Sequence, residues 1–514
     1  MPSSRRSFCF FLALMSAAGV TAHADWRTNA GYDVLSAELG AALPTGADIA
    51  VLHCEAPYVS PTTYLPQGST VTPFAGAGGF TGKTFHALGG FGAASDHARV
   101  VGFTFYGPNG VANGVTTIHA HEANAFFTEL TSPGGPPSWD GTVQNYSWTG
   151  TTDVESDATN ALRRFDFALN RDGVVAVVAL NNNTGAVPQL MSSSYNAICV
   201  GLLNGVHSRN GTVVDGVGRM KPDLVVLEGQ TSYAAPAVAS AATLLYSAIR
   251  PGFPAADHPQ AVKAILLAGS SKANLPAWQR DASVEPYDDV HGAGELNILN
   301  AYHILAQGRQ PFSSSSNLAP LGWDFSASST ATARQYFFTV PSGRMANTFS
   351  AALTWHRRVT NVVFTSSLPN FTLKLFASSA FTPGAVPIDQ SNSGVDNVEH
   401  LFQRNLPPGQ YLLEISSDTN NYNYALAWEA QIGSGPVMAP RRDAGGNVFI
   451  DITGLDPFVT YTVEKSETLV PGAWSSAGTF RTADVAASTS HTWPDPVTPY
   501  PATLFYRLRW NAVR

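Results

Sequence analysis

The stretch that most constrains this chain is Gly229-Gln-Thr-Ser-Tyr-Ala-Ala-Pro-Ala-Val-Ala-Ser240, where a polar turn runs straight into a helix of small residues. Ala234, Ala235, Ala237, Ala239, Ala241 and Ala242 leave almost no side-chain bulk, so this helix is expected to lie close against a sheet. Thr231 and Ser232 fall where it begins. A helix N-terminus offers unpaired N–H groups and a partial positive charge, which is what a developing oxyanion needs once a serine oxygen has attacked a carbonyl. Pro236 is expected in the first turn, where its missing N–H forfeits no helical bond. Hydroxyls at such a place also serve simply as helix caps, so the neighbouring sequence has to decide between the two roles.

Upstream, strand and helix signals alternate. Ile49-Ala-Val-Leu-His-Cys54 is a continuous apolar run of the kind a buried parallel strand shows, and it ends at Glu55-Ala-Pro57. From Asp153 to Asn170, apolar Ala158, Leu162, Phe165 and Leu169 recur at helical spacing, and Val174-Val-Ala-Val-Val-Ala179 follows as another buried strand. A second helix is expected from about Ala256 to Ala268. The alternation predicts an α/β domain, a parallel sheet with helices on both faces.

Lys221-Pro-Asp-Leu-Val-Val226 followed by Gln230-Thr-Ser-Tyr-Ala-Ala-Pro236 resembles the serine region of the subtilisin-like serine proteases. The family pattern there is a Lys-Pro-Asp strand, a loop and Gly-Thr-Ser-x-Ala-Ala-Pro; here Gln230 replaces the glycine and the loop is short. Ser95-Asp-His-Ala-Arg-Val-Val-Gly102 is similar to the family's Ser-x-His-Gly-Thr-x-Val-Ala-Gly, with Ala98 and Arg99 in place of Gly-Thr. The resemblance, over about residues 46 to 305, implies that Ser232 is a nucleophile and His97 its general base. It places an acid at the end of the first strand, where the family has aspartate and this chain has Glu55. A second register would put His53 there, but the third member must be an anion that holds the histidine tautomer and stabilises its cation. The order acid, histidine, serine is the subtilisin order among the three known ones. The flanks of Ser232 also lack the Gly-x-Ser-x-Gly elbow of a lipase-like hydrolase.

Leu180-Asn-Asn-Asn183 stands where the family has Ala-Gly-Asn, which implies Asn182 as side-chain donor to the oxyanion, or Asn181 or Asn183 if the register slips by one. Val143-Gln-Asn-Tyr-Ser-Trp-Thr-Gly150 looks like the family's Val-x-Asn-x-Ser strand, whose edge pairs with a bound peptide. Ser147, Trp148, Thr149 and Gly150 are therefore the expected substrate-binding residues. His291-Gly-Ala-Gly-Glu-Leu-Asn-Ile-Leu-Asn-Ala301 looks like the close of such a domain. Rival histidines are His86, His119 and His121; the last two sit at strand spacing, but two ligands do not make a zinc site. No cofactor is required by this chemistry. Calcium is common in the family, and no loop of regularly spaced acids marks a place for it here.

A length of 514 residues calls for about three domains. Residues 1–24 read as a secretory signal, with Arg5 and Arg6, an apolar run from Phe8 to Val20 and Ala22-His-Ala24. The protein is expected to be secreted or periplasmic, by the general or the twin-arginine route. Asp25 to Thr45 is far too short for the prodomain common in the resembled family. The peptidase-like domain is expected over 25–309, a jelly-roll β-sandwich over 310–434 and a small β domain over 435–514, where alternating strands with Pro and Gly turns replace helical periodicity. Glycan, a cell surface or the peptidase domain itself are the ligands such modules would take. The formal charge is -8, and the leader holds Arg5 and Arg6 with no acid, leaving -10 (-8 minus 2) beyond it, which argues against nucleic acid as a partner. No later stretch is apolar enough to span a bilayer. Cys54 and Cys199, the only cysteines beyond the leader, lie in apolar runs and are expected as buried free thiols. The expected partner is thus a protein or peptide substrate, and the competing function is a catalytically inactive relative acting as a secreted binding module.

Overall fold

The computed structural model describes residues 25–60, 62–280, 283–455, 460–470, 473–481, 490–495, 501 and 503–510; the leader and its export signal lie outside them. Eight strands form the first sheet: β1 (Val51–Glu55), β2 (Phe74–Ala75), β3 (Thr84–Leu88), β4 (Thr117–Glu122), β5 (Val143–Tyr146), β6 (Val175–Ala179), β7 (Ile198–Leu202) and β8 (Leu224–Val226). Their order is β8-β7-β6-β5-β1-β4-β3-β2, parallel throughout except for the β2–β3 pair. Strand residues alternate between two cores, as a period of two requires. Val51, Val143, Val175 and Val177 face one, and Leu52, Cys54, Ala176 and Val178 face the other.

Helices fill both faces. The lead-in forms α1 (Trp26–Asn29) and α2 (Tyr32–Leu39), whose Trp26 and Leu35 are buried. Next come α3 (Asp96–Phe105), α4 (Ala123–Leu130), α5 (Glu155–Asp172), α6 (Thr231–Gly252), α7 (Pro259–Gly269) and α8 (Ile298–Ala306). Ala234, Ala235, Ala237, Ala239, Ala241 and Ala242 of α6 are fully buried in the core that holds Val175 and Val177, which is the close approach their small size predicts. In the opposite core sit Ala158, Ala161, Leu162, Phe165 and Leu169 of α5. That helix starts two residues later than the sequence suggests and stops at Gly173, whose left-handed φ of 64° closes it. By composition α6 is long and apolar enough to cross a membrane, but it is a core helix. Cys54 and Cys199 are buried and unbridged.

Beyond α8 the chain is all β. One sheet of the second unit joins β9 (Leu321–Ala327), β11 (Arg344–Thr354), β13 (Val398–Leu406) and β15 (Asn423–Ser434) in the order β9-β15-β11-β13. The other is built on β10 (Arg334–Val340), β12 (Phe371–Ser379) and β14 (Gly409–Ser417). Aromatic and aliphatic side chains from both sheets, among them Phe338, Phe349, Trp355 and Trp428, close a sandwich core. A last, smaller pair of three-stranded sheets is made by β16 (Val437–Arg442), β17 (Val448–Thr453), β18 (Tyr461–Ser466), β19 (Ser475–Phe480), β20 (Ser490–Pro494) and β21 (Phe505–Arg509).

The sandwich is fused to the α/β unit. Every residue of α7 is buried, because β11 and β15 cover the face that the first sheet leaves open. Trp323, Ala352, Val398, Ala425 and Ala427 belong to the same apolar core as α6. Arg357 reaches across to Asp166 and Asp215, and Arg280 to Asp389 at 2.7 Å.

Candidate active site

Three elements bring the expected residues together. Glu55 is the last residue of β1 and is fully buried. Ser95 caps α3, its side chain accepting from the Ala98 N–H at 3.3 Å, and this sets His97 as the second helical residue. His97 Nδ1 lies 3.1 Å from Glu55 Oε1. The carboxylate oxygen sits off the line of the ring N–H, so the contact is close but bent. The imidazole also lies near the ring of Tyr233, next in sequence to Ser232, with 6.1 Å between centroids. Ser232 is the second residue of α6 and is 6% exposed. Among the described residues no hydrogen bond joins the Ser232 hydroxyl to His97; such contacts often tighten only around substrate.

Burial on its own would raise the Glu55 carboxyl, yet the facing His97, with help from His53, outweighs it and holds the group below the ordinary value. His97 answers in kind: burial would lower it, and the Glu55 charge raises it above the usual histidine value. The carboxylate is held on both oxygens. Its Oε1 accepts from the Ala56 N–H at 3.1 Å, and its Oε2 lies 3.4 Å from His53 Nε2. His53 Nδ1 in turn meets the Tyr106 hydroxyl at 2.9 Å. The two registers considered for the acid thus become two layers: Glu55 faces His97 and His53 stands behind Glu55.

Asn182 is oriented by its own amide oxygen. Oδ1 accepts from the Thr231 N–H at 2.8 Å, and since an N–H only donates, the amide cannot be flipped. Its Nδ2–H groups are therefore turned away from Thr231. The Ser232 N–H, in the first turn of α6, has no helical acceptor. The Asn182 side chain is thus tied through Oδ1 to Thr231, the residue before Ser232.

Pro236 is not in the first turn. It is the sixth residue of α6, where its missing N–H leaves the Ser232 carbonyl without its i+4 partner. That carbonyl accepts instead from Ser147 Oγ at 3.0 Å, and Asn145 Nδ2 donates to the same Oγ at 2.9 Å. Ser147 therefore fixes the backbone of Ser232 rather than waiting for a substrate.

The expected free strand edge is absent over Val143–Tyr146. β5 pairs with β1 and β6 on its two sides and lies inside the sheet. Past its end, Trp148 is buried in the second core and the Gly150 carbonyl accepts from the Leu190 N–H at 3.0 Å. Thr149 alone is partly exposed there. The rival histidines lie elsewhere in the sheet: His86 stacks on His119 at 4.9 Å, and His121 Nε2 meets Glu129 at 3.1 Å. Among the described residues no group of three or more His, Cys, Asp or Glu is gathered for a metal. Tyr106 and Tyr233 are site neighbours the sequence did not single out; Tyr233 was findable as the residue next to Ser232, whereas Tyr106 had no local signal.

No protein-family model matches the chain, and no curated protein matches it. Solved structures similar to it include the patellamide maturation protease PatA, 18% identical over 51% of this chain and 98% of that one, with a TM-score of 0.33. Another is the epidermin leader peptide processing serine protease EpiP from Staphylococcus aureus, 15% identical over 58% and 84%, TM-score 0.35. A lanthipeptide protease is 15% identical over 56% and 96%, TM-score 0.37. Likenesses this shallow leave the reading of the site to its own geometry.

Proposed function

We propose that this chain is an exported serine endopeptidase of the subtilisin-like kind, hydrolysing peptide bonds through an acyl-enzyme on Ser232. The observation that carries the reading is the buried Glu55–His97 contact at 3.1 Å, made at the end of β1 and the start of α3, with the His97 ring 6.1 Å from that of Tyr233, the residue after Ser232. His97 takes the Ser232 proton, the oxygen attacks the carbonyl, and Glu55 stabilises the imidazolium that forms. Asn182 Nδ2 and the Ser232 N–H hold the oxyanion. The proton then passes from His97 to the departing amine, and water repeats the sequence to free the acid.

A fluorophosphonate probe tests this directly, because it captures only an activated serine. The expected result is one adduct, mapped by peptide mass to Ser232 and missing from Ser232→Ala. Correctly folded protein that takes no label would sink the catalytic reading. The second reading, a protein of this fold that binds without cleaving, is favoured by the missing hydrogen bond between Ser232 and His97, and it would then stand.

A further inference from the structure

A glutamate in place of an aspartate has one more rotatable bond, and that freedom has to be removed before its oxygen can be aimed at an imidazole. The residues behind Glu55 do this. An ionised carboxylate only accepts hydrogen bonds, so His53 must present Nε2–H to Glu55 Oε2; in the imidazole form its Nδ1 is then left to accept. The donor it meets is the Tyr106 hydroxyl, 2.9 Å away. Burial, with Glu55 nearby, pushes the Tyr106 phenol well up, so it keeps the proton it donates. Both side chains are buried, His53 at 1% exposure and Tyr106 at 0%.

The placement of Tyr106 has its own cause. It is the C-terminal cap of α3, the helix whose second residue is His97. A Cβ added at Gly102, inside that helix, would stand 2.7 Å from the Tyr106 hydroxyl oxygen. Glycine inside a helix is unfavourable, and here its missing side chain is the space the phenol occupies. One helix therefore touches the carboxylate system twice, through His97 near its start and through Tyr106 at its end.

We infer that His53 and Tyr106 are positioning residues for Glu55, a buried relay from Tyr106 O–H to His53 and from His53 Nε2–H to the carboxylate, which fixes Oε2 and so aims Oε1 at His97. This rests on the proposed catalytic reading. The relay acts only through Glu55, so its removal is without effect once Glu55 no longer carries the charge.

The experiment is a double-mutant cycle on the rate of Ser232 labelling and on kcat and KM for a peptide substrate, with His53→Leu, Glu55→Gln and the pair. His53→Leu alone should slow both rates by roughly tenfold to a hundredfold, the usual reach of a group that orients a reacting side chain, with KM little changed. In the Glu55→Gln background it should add nothing. Multiplying effects would overturn the inference, since they would mean that His53 acts through general stability. Tyr106→Phe and Gly102→Ala, assayed in both backgrounds, keep the test decisive if His53→Leu fails to fold. The His97 ring titration, followed by NMR, should move to lower pH in His53→Leu and stay put in His86→Leu; an unmoved titration overturns the relay. That readout does not need an active enzyme, so protein that takes no label would fail the catalytic reading while leaving the relay to be decided on its own.

Discussion

Two carboxylates are buried at strand ends of the first sheet, and their surroundings differ in kind. Asp223, just before β8, lies between Lys221 at 2.8 Å and Lys263 at 3.1 Å, and also accepts from the Cys199 N–H at 2.7 Å and Tyr287 at 3.2 Å. Burial would raise it, but the two lysines dominate and its carboxyl is brought down to about 2. Among the described residues, Glu55 is met by two imidazoles and one amide N–H. A carboxylate between two ammonium groups is locked into one state. A carboxylate between imidazoles can let charge appear and disappear beside it, which is what a general base in turnover needs. The two carboxylates thus differ in what faces them, ammonium groups for Asp223 and imidazoles for Glu55.

The sharpest way to break this contrast is at the nucleophile. Ser232→Ala should lower kcat for peptide hydrolysis on the order of a millionfold in protein of unchanged stability, measured by burst-free steady-state assay beside thermal unfolding. Next, Glu55→Gln keeps volume and removes the charge, and should cost about a thousandfold to ten-thousandfold. In the parent protein the rate should rise with pH through an apparent pKa above the usual histidine value of about 6.5, because His97 must lose its proton to act. In Glu55→Gln that limb should move down. If it does not, Glu55 is not the charge that His97 feels.

Asp223→Asn is the matched experiment on the structural side. It strands two buried lysines and should cost about 3 to 5 kcal/mol in denaturant unfolding, with the labelling rate of the folded fraction unchanged. For the parent protein, a carboxyl lowered on folding gives stability that is full above its unfolded value of about 4 and is lost as pH falls towards the folded one. Acid unfolding should therefore retreat to higher pH in Asp223→Asn. Of the losses in rate expected for Ser232, Glu55 and Asn182 variants, that of Asn182→Ala is the smallest, about a hundredfold in kcat with KM nearly constant, read by steady-state kinetics.

How far the sequence could be read follows from how local each feature is. The Thr231–Ser232 start of α6 and the buried strands β1 and β6 are each written in under a dozen adjacent residues, and the structure has them. The position of β5 was not legible, because whether a strand lies at an edge depends on neighbours that are far away in sequence. The helix α4 escaped notice since it is short and capped by Glu122, which accepts from the Asn124 and Ala125 N–H groups at 2.8 Å, in place of the usual Ser, Thr, Asp or Asn. The partnership of His53 with Tyr106 spans 53 residues and two elements. The role of Ser147 could be foreseen only by knowing that Pro236 falls in the second turn of α6 rather than the first.

The shared core of the α/β unit and the sandwich sets an order of events as the chain is made. Residues through α8 leave the ribosome first, while Trp323, Ala352, Val398, Ala425 and Ala427, which complete the packing around α7 and α6, arrive later. Without them one side of α7 would be open to water. Through these residues the sandwich is part of the support beneath α6 and α7, and not an appendage to it.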